Sequence, residues 1–288
     1  MSAFANVPVR ALFQDIPQGY GITWNGYKGT VENHSCKTAD DTLSDFQKLV
    51  GYSRIRVYGT DCGQPENVIN AARATGKKVF MGIFFLDSVP AQIQTIVNAV
   101  QATGGSWDVF ETISIGNEDV ERGTPVGTVI AAVQAARSQL RAAGYQGPVV
   151  HVDTQSAILA NPQLCGPDAG DFVAANIHPF FNPNIIAAAS GWFVAQQVRA
   201  LERCAAAHSR KRDVQRVVVT ETGWPARGQN NGHAVPGRLH QVAAIMSIRK
   251  HLKSDVFLFS AFNSGWKEDT PGTFGAERFW GIYDNGDS

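Results

Sequence analysis

The chain has 288 residues, with 25 basic and 25 acidic side chains that give a formal net charge of +0. Hydrophobic residues make up 44% of it and charged residues 17%. This excludes intrinsic disorder, because disordered chains combine low hydrophobicity with high net charge. A neutral chain also lacks the positive field that collects phosphates, so we expect no nucleic-acid partner. The length alone fits two domains or one α/β barrel of about 250 residues.

Eight short apolar runs, rich in Val, Ile and Phe, predict eight β-strands, and a helical pattern follows nearly all of them. The predicted strands begin near Tyr20, Ser53, Lys78, Thr112, Pro148, Phe172, Arg216 and Val256. Their spacing averages about 34 residues, the size of one βα unit. Because strands alternate with helices and the strand cores are almost wholly apolar, the pattern predicts a parallel sheet that is covered on both faces.

Proline in the first turn and glycine after the last turn mark several predicted helices. The helices are expected over residues 40–49, 65–76, 90–100, 125–144, 156–160, 192–208 and 238–252. The helix after the fifth strand is the shortest of them. No convincing helix follows the eighth strand, and we expect residues 274–288 to form a loop with some aromatic packing.

The fold class that this pattern predicts is α/β, as a single (β/α)8 TIM barrel. No linker or low-complexity segment divides the chain, so we expect one domain over residues 1–288, with residues 1–18 as an N-terminal extension. A doubly wound sheet is the alternative, but it would carry a glycine-rich phosphate loop after its first strand. Residues 21–26 read GITWNG, which lacks the GxGxxG spacing.

The four cysteines have no CxxC spacing, which argues against zinc binding or thioredoxin-like chemistry. They are Cys36, Cys62, Cys165 and Cys204. They are either four buried thiols or two disulfides. Among the three possible connectivities we favour the local one, Cys36–Cys62 and Cys165–Cys204. A glycosylation sequon at residues 33–35 and these pairs together favour secretion.

The chain shows no membrane span in its sequence. Its longest apolar stretch, residues 79–86, is far shorter than the roughly 20 residues that cross a bilayer. The first residues lack the charged start and apolar core of a signal peptide. We therefore expect either a cytosolic protein or a mature secreted chain with an added start methionine, and the cysteines favour the second.

Two carboxylates follow uninterrupted apolar strands. The fourth predicted strand leads into Asn117 and Glu118, and the seventh leads into Glu221. In a barrel the active site lies at the C-terminal ends of the strands, and the ends of the fourth and seventh strands face each other across the mouth. Glycoside hydrolysis requires such a pair, one carboxyl protonated to protonate the leaving oxygen and one ionised to attack the anomeric carbon.

Arg56, in the second predicted strand, is a candidate cation for keeping Glu221 ionised. Tyr58 lies two residues further on the same strand face and is a candidate hydrogen-bond donor to Glu221. The alternatives are a structural ion pair for Arg56 and a packing position at the barrel rim for Tyr58.

Six segments of the chain carry a resemblance to one family. They are IRVY at 55–58, IGNE at 115–118, NIHPFF at 176–181, VVVTETGWP at 217–225, FNSGWK at 262–267 and GAERFWG at 275–281. In this order and spacing they resemble glycoside hydrolase family 17, the β-1,3-glucanases, and in particular its compact fungal members. The resemblance implies a (β/α)8 barrel, retention of anomeric configuration and a β-1,3-glucan or its oligosaccharides as the partner.

The resemblance also implies a role for each matching residue. Glu118 would be the general acid/base and Glu221 the nucleophile, while Asn117 would hydrogen-bond the 2-hydroxyl of the sugar that is cleaved. The remaining substrate-binding residues would be Arg56, Tyr58, His178, Phe180, Phe181, Trp266, Lys267 and Glu277.

Three of these residues, His178, Trp266 and Lys267, would line the cleft. Glu277 would support Lys267 or the nucleophile. The two adjacent phenylalanines, 180 and 181, would be stacking platforms for the apolar faces of sugar rings. The alternative for each aromatic residue is plain packing.

The predicted reaction cleaves internal β-1,3 linkages through a covalent glucosyl-enzyme. We favour transfer to another glucan, a β-1,3-glucanosyltransferase, over transfer to water, an endo-β-1,3-glucanase. The choice depends on the acceptor subsites, and we expect Phe180, Phe181 and the loop at 227–235 to decide it.

More distant alternatives are a non-catalytic glucan-binding wall protein, a metal-dependent enzyme and an aldolase-like barrel. The histidines lack HxH and HExxH spacing, and no lysine ends an apolar strand, which argues against the last two. We expect no metal or other cofactor, a monomer, and a secreted protein of the cell wall.

Overall fold

The structure, a computed structural model, describes residues 16, 19–208 and 216–283. The N-terminal extension expected at residues 1–18 lies outside this part except for residue 16. In the described part, eight parallel strands close into a barrel. They are β1 (Tyr20–Thr23), β4 (Arg54–Val57), β5 (Lys78–Ile83), β6 (Phe110–Asn117), β7 (Val149–Thr154), β8 (Val173–Asn176), β9 (Val217–Thr222) and β10 (Val256–Leu258). The predicted barrel is confirmed, and β1 pairs with both β4 and β10 to close it.

Helices separate consecutive barrel strands and cover the outside of the barrel. They are α1 (Ala39–Lys48), α2 (Gln64–Thr75), α3 (Val89–Ala102), α4 (Val126–Ala142), α5 (Gln155–Ala160), α6 (Ser190–His208) and α7 (Arg238–His251). Each lies within a few residues of its predicted position. Thr38 caps α1 with its hydroxyl, and Gly76 ends α2 in the left-handed conformation. Among the described residues after β10, one 3-10 turn at Pro271–Thr273 is the only helical segment.

A short antiparallel hairpin, β2 (Tyr27–Gly29) and β3 (His34–Cys36), lies between β1 and α1. The sequence analysis missed it, because both strands are three residues long, mostly exposed and without apolar alternation. The hairpin lies outside the barrel sheet. It follows the C-terminal end of β1 and therefore lies at the end of the barrel where the cleft opens.

The core has two parts. Seven side chains fill the barrel interior: Phe80, Val150, Val152, Phe172, Ala174, Val218 and Phe257. A larger apolar layer separates the strands from the helices. The guanidinium of Arg56, a buried residue of β4, lies 5.6 Å above the Phe80 ring, so this side chain points into the barrel and packs on the interior core.

Both predicted disulfides are present. Cys36–Cys62 joins the hairpin to the loop after β4, and Cys165–Cys204 joins a 3-10 turn to α6. They close sequence separations of 26 and 39 residues. In the chain-entropy account each contributes about 3–4 kcal/mol by restricting the unfolded chain. No described helix combines the length and apolarity needed to cross a bilayer.

Candidate active site

A cleft of about 440 Å³ opens at the C-terminal end of the barrel. Glu118 and Glu221 both line it, one from the end of β6 and the other from the end of β9. Aromatic rings from several strand ends form its walls. Within the described residues no group of three or more His, Cys, Asp and Glu side chains could hold a metal ion. Glu118 and Glu221 are the two catalytic candidates of the sequence analysis, and both face this cleft.

Glu221 is held by three side chains. Arg56 Nη1 donates to Glu221 Oε1 over 2.7 Å, and the Tyr58 hydroxyl donates to the same oxygen over 2.9 Å. His178 Nε2 lies 3.0 Å from Oε2. Because an ionised carboxylate only accepts hydrogen bonds, this contact places a proton on Nε2. Arg56 and Glu221 are both buried, so the ion pair is shielded from water.

Burial by itself raises the pKa of Glu221, because it penalises the charged form. The positive charge of Arg56 and the hydrogen bonds from His178 and Tyr58 outweigh burial and lower the pKa to about 2. Glu221 is therefore ionised across the ordinary pH range. The sequence-based interpretation of Arg56 and Tyr58 as partners of Glu221 agrees with these contacts.

Glu118 owes its position to the backbone. Gly116 and Glu118 have φ values of +75° and +59°, and the register of β6 against β7 shifts between Ser114 and Asn117. A Cβ atom on Gly116 would lie 2.1 Å from a carboxylate oxygen of Asp119, so glycine is required there. Such a bulge at a strand end re-aims the following side chains. Here it turns Asn117 and Glu118 into the cleft.

A buried His–Asp pair fixes the turn that follows Glu118. Asp153 accepts backbone hydrogen bonds from Val120 over 2.8 Å and from Glu121 over 3.2 Å. His151 Nε2 lies 2.9 Å from the Asp153 carboxylate, and its Nδ1 lies 2.8 Å from the carbonyl of Ile115. The pair thus bridges β6 and the turn on either side of Glu118.

The Glu118 carboxyl accepts a hydrogen bond of 2.8 Å from Asn176 Nδ2. Burial raises the pKa of Glu118, and the negative charge of Glu221 raises it further. The two carboxylates of the cleft are therefore driven in opposite directions, Glu118 toward the neutral acid and Glu221 toward the anion.

Asn176 connects the two carboxylates, and the sequence analysis did not single it out. Its Oδ1 accepts hydrogen bonds from Arg56 Nη1 over 3.2 Å and from the Thr220 hydroxyl over 2.8 Å. Its Nδ2 reaches both Glu118 and, at 3.3 Å, Asn117 Oδ1. Its position in the sequence could have revealed it, because Asn176 is the polar residue at the end of β8, the sixth strand of the barrel, which is otherwise apolar.

The wall beside β1 and β10 is aromatic and polar. Trp266 Nε1 donates to Asn25 Oδ1 over 3.1 Å, and its ring centroid lies 4.8 Å from that of Tyr27. Lys267 Nζ lies 3.1 Å from Glu277 Oε2. The sequence analysis proposed that Glu277 supports either Lys267 or the nucleophile, and in the structure it contacts Lys267. Asn25 and Tyr27 were not among the expected site residues, because they belong to the hairpin region that the sequence did not reveal.

The expectation that Phe180 is a sugar platform is wrong. Its ring is fully buried and packs against Trp224 and Trp280, with centroid distances of 5.5 and 5.9 Å. Phe181 lines the cleft and is 43% exposed. The two lie in a 3-10 turn, where consecutive side chains point about 120° apart, so one of them faces the cleft and the other the core.

The loop at 227–235, expected to influence acceptor choice, does not line the cleft anywhere along its described length. Asn231 donates to the carbonyl of Phe180 over 3.0 Å, and the indole of Trp224 donates to the carbonyl of Val235 over 2.9 Å. The loop therefore supports the buried Phe180 from behind.

The fold and this pair of carboxylates define the class of the protein, a glycoside hydrolase barrel. The chain belongs to glycoside hydrolase family 17: the family described as the BtgE/BtgC glycoside hydrolase domain matches residues 21–281. The resemblance found in the sequence is thereby confirmed.

Similar proteins include the cell surface mannoprotein MP65 of Candida albicans, 43% identical over 92% of this chain and 66% of that protein. The probable family 17 glucosidase SCW10 of Saccharomyces cerevisiae is 42% identical over 91% of this chain and 64% of that protein. The chain thus spans slightly less than two thirds of each of these relatives.

Among solved structures, an active-site mutant of Rhizomucor miehei β-1,3-glucanosyltransferase in complex with laminaritriose is similar, with a TM-score of 0.74. The two chains are 19% identical, and the match covers 93% of this chain and 94% of the other. At that identity the likeness shows the shared barrel fold.

Proposed function

We propose that this domain is a retaining β-1,3-glucan glycosidase that cleaves internal linkages and transfers the glycosyl group to another glucan. The observation that carries the proposal is the opposite protonation preference of Glu118 and Glu221 in one cleft. A neutral carboxylic acid and an ionised carboxylate are the two groups that double displacement at an anomeric carbon requires. The β-1,3-glucanosyltransferase with a similar barrel supports the choice of substrate and of transfer.

In the first step, Glu118 donates its proton to the glycosidic oxygen while Glu221 attacks the anomeric carbon. The bond between that carbon and oxygen breaks, the leaving chain departs as an alcohol, and a glucosyl ester forms on Glu221. In the second step, Glu118, now ionised, takes the proton of an incoming hydroxyl, which attacks the anomeric carbon and releases Glu221. Two inversions retain the configuration.

The side chains around the carboxylates serve these steps. Arg56, Tyr58 and His178 keep Glu221 ionised and aimed into the cleft. Asn117 Oδ1 accepts a hydrogen bond of 2.6 Å from Arg56 Nη2, which reserves the N–H groups of this amide for the sugar 2-hydroxyl. The Phe181 ring and the wall that carries Trp266 offer apolar faces to glucose rings. Lys267, oriented by Glu277, donates to sugar hydroxyls.

Azide rescue tests the two roles separately. Azide is small enough to fill the space of a deleted carboxylate. Glu221→Ala should lose glycosidase activity and, with an activated donor and azide, form the α-glycosyl azide. Glu118→Ala should instead form the β-glycosyl azide, because the nucleophile still acts. A β-azide from Glu221→Ala would contradict the assignment of the nucleophile.

Hydrolysis is the second candidate activity. Its acceptor is water, and the same carboxylates support it equally well. Incubation with a β-1,3-oligosaccharide separates the two activities, since transfer yields products longer than the substrate. A mixture of shorter oligosaccharides alone would make the protein an endo-β-1,3-glucanase. Binding without turnover would make it a non-catalytic glucan-binding protein.

We also propose that the chain acts as a single barrel domain, as a monomer, outside the cell at the wall. The two disulfides support an oxidising compartment, and one relative, MP65, is named as a cell surface mannoprotein. Light scattering on the purified chain tests the monomer. Immunolocalisation in the source organism tests the compartment.

A further inference from the structure

A histidine and an aspartate that the proposed mechanism does not use are buried behind the strands of the cleft. His151 and Asp153 lie in β7 and are 5% and 0% exposed. Val150 and Val152 of the same strand fill the barrel interior, and successive side chains of a strand point to opposite faces. His151 and Asp153 therefore point away from the interior, toward the helix layer. Neither lines the cleft, so neither contacts a sugar that lies in it.

The hydrogen bonds of Asp153 fix its charge. Its two oxygens accept from three backbone N–H groups, those of Val120 over 2.8 Å, Glu121 over 3.2 Å and Thr154 over 2.9 Å. Burial raises the pKa of this carboxyl, but the contacts with His151 and with the backbone outweigh burial and lower the pKa. A carboxylate that accepts two or three backbone N–H groups is held in its ionised form. Asp153 is therefore an anion.

His151 carries a proton on each ring nitrogen. Its Nδ1 lies 2.8 Å from the carbonyl oxygen of Ile115, and a carbonyl oxygen only accepts. Its Nε2 lies 2.9 Å from Asp153 Oδ2, which also only accepts when the carboxylate is ionised. A neutral imidazole has a single N–H and would leave one of these two contacts without a proton. The ring is therefore an imidazolium, and the two side chains form a buried ion pair.

The value of this ion pair lies in the backbone groups that it fixes. Stability alone is a weak reason for it, because taking two charges out of water costs about as much as their attraction returns, and apolar residues of similar size often serve as well. An apolar pair cannot hold single N–H and carbonyl groups in place. His151 holds one such group before Glu118, and Asp153 holds two after it.

The turn that carries Glu118 takes its geometry from β7. The N–H of Glu118 donates to the carbonyl of Val152 over 2.8 Å, and the N–H groups two and three residues further on donate to Asp153. Three of the four N–H groups from residue 118 to residue 121 therefore bind two consecutive residues of β7. Glu118 itself has a φ of +59°, a conformation that costs free energy for a residue with a side chain. The anchors on β7 offset that cost.

We infer that His151 and Asp153 are a positioning pair for the acid/base: as an ion pair behind the sheet, they hold the turn in the geometry from which Glu118 reaches the glycosidic oxygen. Proton donation depends on this reach, because a general acid must lie within hydrogen-bond distance of the atom that it protonates. Attack by Glu221 does not depend on the pair, since other strands supply the contacts of its carboxylate. This inference rests on the proposed glycosidase function.

The test compares two substrates that differ in their need for an acid. The leaving chain of a β-1,3-oligosaccharide is an alcohol and requires a proton to depart. A 2,4-dinitrophenyl β-1,3-oligoglucoside releases a stable phenolate that requires none. Since kcat/KM reports the loss of transition-state stabilisation up to departure of the leaving group, the difference between the two substrates isolates proton donation by Glu118.

Asp153→Asn keeps the shape of the side chain but replaces one acceptor by an amide N–H₂ group, which cannot accept from the turn. For the oligosaccharide we expect kcat/KM to fall by about 10-fold to 100-fold, a part of the roughly 10²–10⁴-fold that general acid catalysis contributes. For the dinitrophenyl glycoside it should stay within about threefold of the wild type, because no proton is needed.

Glu111→Gln is the matched control. Glu111 lies near the start of β6, at the opposite end of the strand from the cleft, and its Oε2 accepts from Nε of the buried Arg54 over 2.6 Å. This change also replaces one carboxylate of an ion pair by an amide. It should therefore lower Tm, as Asp153→Asn does, but leave kcat/KM unchanged for both substrates.

His151→Gln tests the other half of the pair. A glutamine side chain donates from one end only, so it cannot bridge the Ile115 carbonyl and Asp153, and it should produce the same difference between the substrates. Nitrogen-15 NMR of the histidine rings, assigned by the signals that His151→Gln removes, should show both nitrogens of His151 protonated in the wild type at pH 7.

The outcomes separate this inference from the proposed function. An equal fall for both substrates in Asp153→Asn, or a fall for neither, would overturn the positioning role and leave the glycosidase standing. A neutral His151 ring in the wild type would overturn the ion pair. A wild-type protein that cleaves neither substrate would refute the glycosidase and this inference with it.

Discussion

The two carboxylates of the cleft are positioned by different means. Glu221 lies inside β9, whose register also shifts against both neighbouring strands after Val219, and Arg56, Tyr58 and His178 hold its two oxygens. Glu118 lies in a left-handed backbone conformation after a bulge, and Asn176 is the side chain that donates to its carboxyl. Glu221 is thus surrounded by a cation and strong hydrogen-bond donors. Glu118 is oriented by its backbone conformation and contacts a neutral amide.

This difference assigns opposite tasks to two identical side chains. Donors and a buried cation stabilise an anion, so Glu221 stays ionised, as the proposed nucleophile must be. A backbone that aims the side chain, together with burial and a nearby negative charge, leaves Glu118 able to carry a proton. The different protonation states that we expect of Glu118 and Glu221 follow from their different contacts. Removing these contacts one at a time tests how much each of them contributes.

Removing the buried cation should have the largest effect. Arg56→Met leaves the Glu221 carboxylate buried without its charge partner and removes the donor to Asn117. We expect kcat/KM to fall by about 10³-fold or more and the free energy of unfolding to fall by about 3–5 kcal/mol. Steady-state kinetics and denaturant unfolding measure the two losses.

Arg56→Lys is the matched control for this change. Lysine keeps the positive charge but cannot reproduce the fork that contacts Glu221 and Asn117 together. We expect it to recover most of the stability and little of the activity. A Met variant with kcat/KM within tenfold of the wild type would show that Glu221 does not depend on Arg56.

Replacing each carboxylate by its amide should change stability in opposite directions. The Glu221 pKa falls from 4.5 to about 2 on folding, so its ionised form contributes about 3 kcal/mol that is fully present above pH 4.5 and lost as the pH falls toward 2. Glu221→Gln should therefore lower Tm at pH 7. Glu118 has a raised pKa, so its charged form costs stability above its unfolded pKa, and Glu118→Gln should raise Tm at pH 7.

Thermal melts at pH 3, 5 and 7 check both signs. Because protonation at low pH neutralises the carboxyl in either case, the two variants should approach the wild type as the pH falls. A lower Tm for Glu118→Gln at pH 7 would mean that the structure stabilises its anion, contrary to the proposed acid role.

The amide that connects the carboxylates should produce the smallest of these effects. The hydrogen bond from Asn176 stabilises the anion of Glu118 and so lowers its pKa. Asn176→Ala should raise that pKa further, and the basic limb of the kcat/KM profile should move to higher pH, since kcat/KM reports the free enzyme. Thr220→Val removes only the hydroxyl that orients Asn176 and should move the limb less. A shift to lower pH would contradict this reading.

The sequence could predict the barrel because each strand is an apolar run, and because several helices begin at a proline or end at a glycine. Both signals are local in the chain. The sequence could also predict Glu118 and Glu221, since polar residues at strand ends meet at one end of a barrel whatever the details. Arg56 and Tyr58 were predictable for the same reason, as two residues on one face of a strand.

The errors and omissions have a different physical origin. Phe180 and Phe181 are chemically identical neighbours, and the tight turn that separates them into core and cleft leaves no periodic pattern. Asn176 matters through contacts with residues far away in the chain, which a linear pattern does not reveal.

The hairpin at the cleft rim links one wall of the site to the redox state of a cysteine pair. It contributes Tyr27 to the cleft wall, and Cys36–Cys62 attaches it to the loop after β4. An isolated two-stranded hairpin is marginally stable in water, so the disulfide adds to the contacts of Tyr27 with Asp61 and Trp266 that hold this wall. Reduction of the disulfide should leave the barrel and both carboxylates in place and loosen the wall that carries Tyr27.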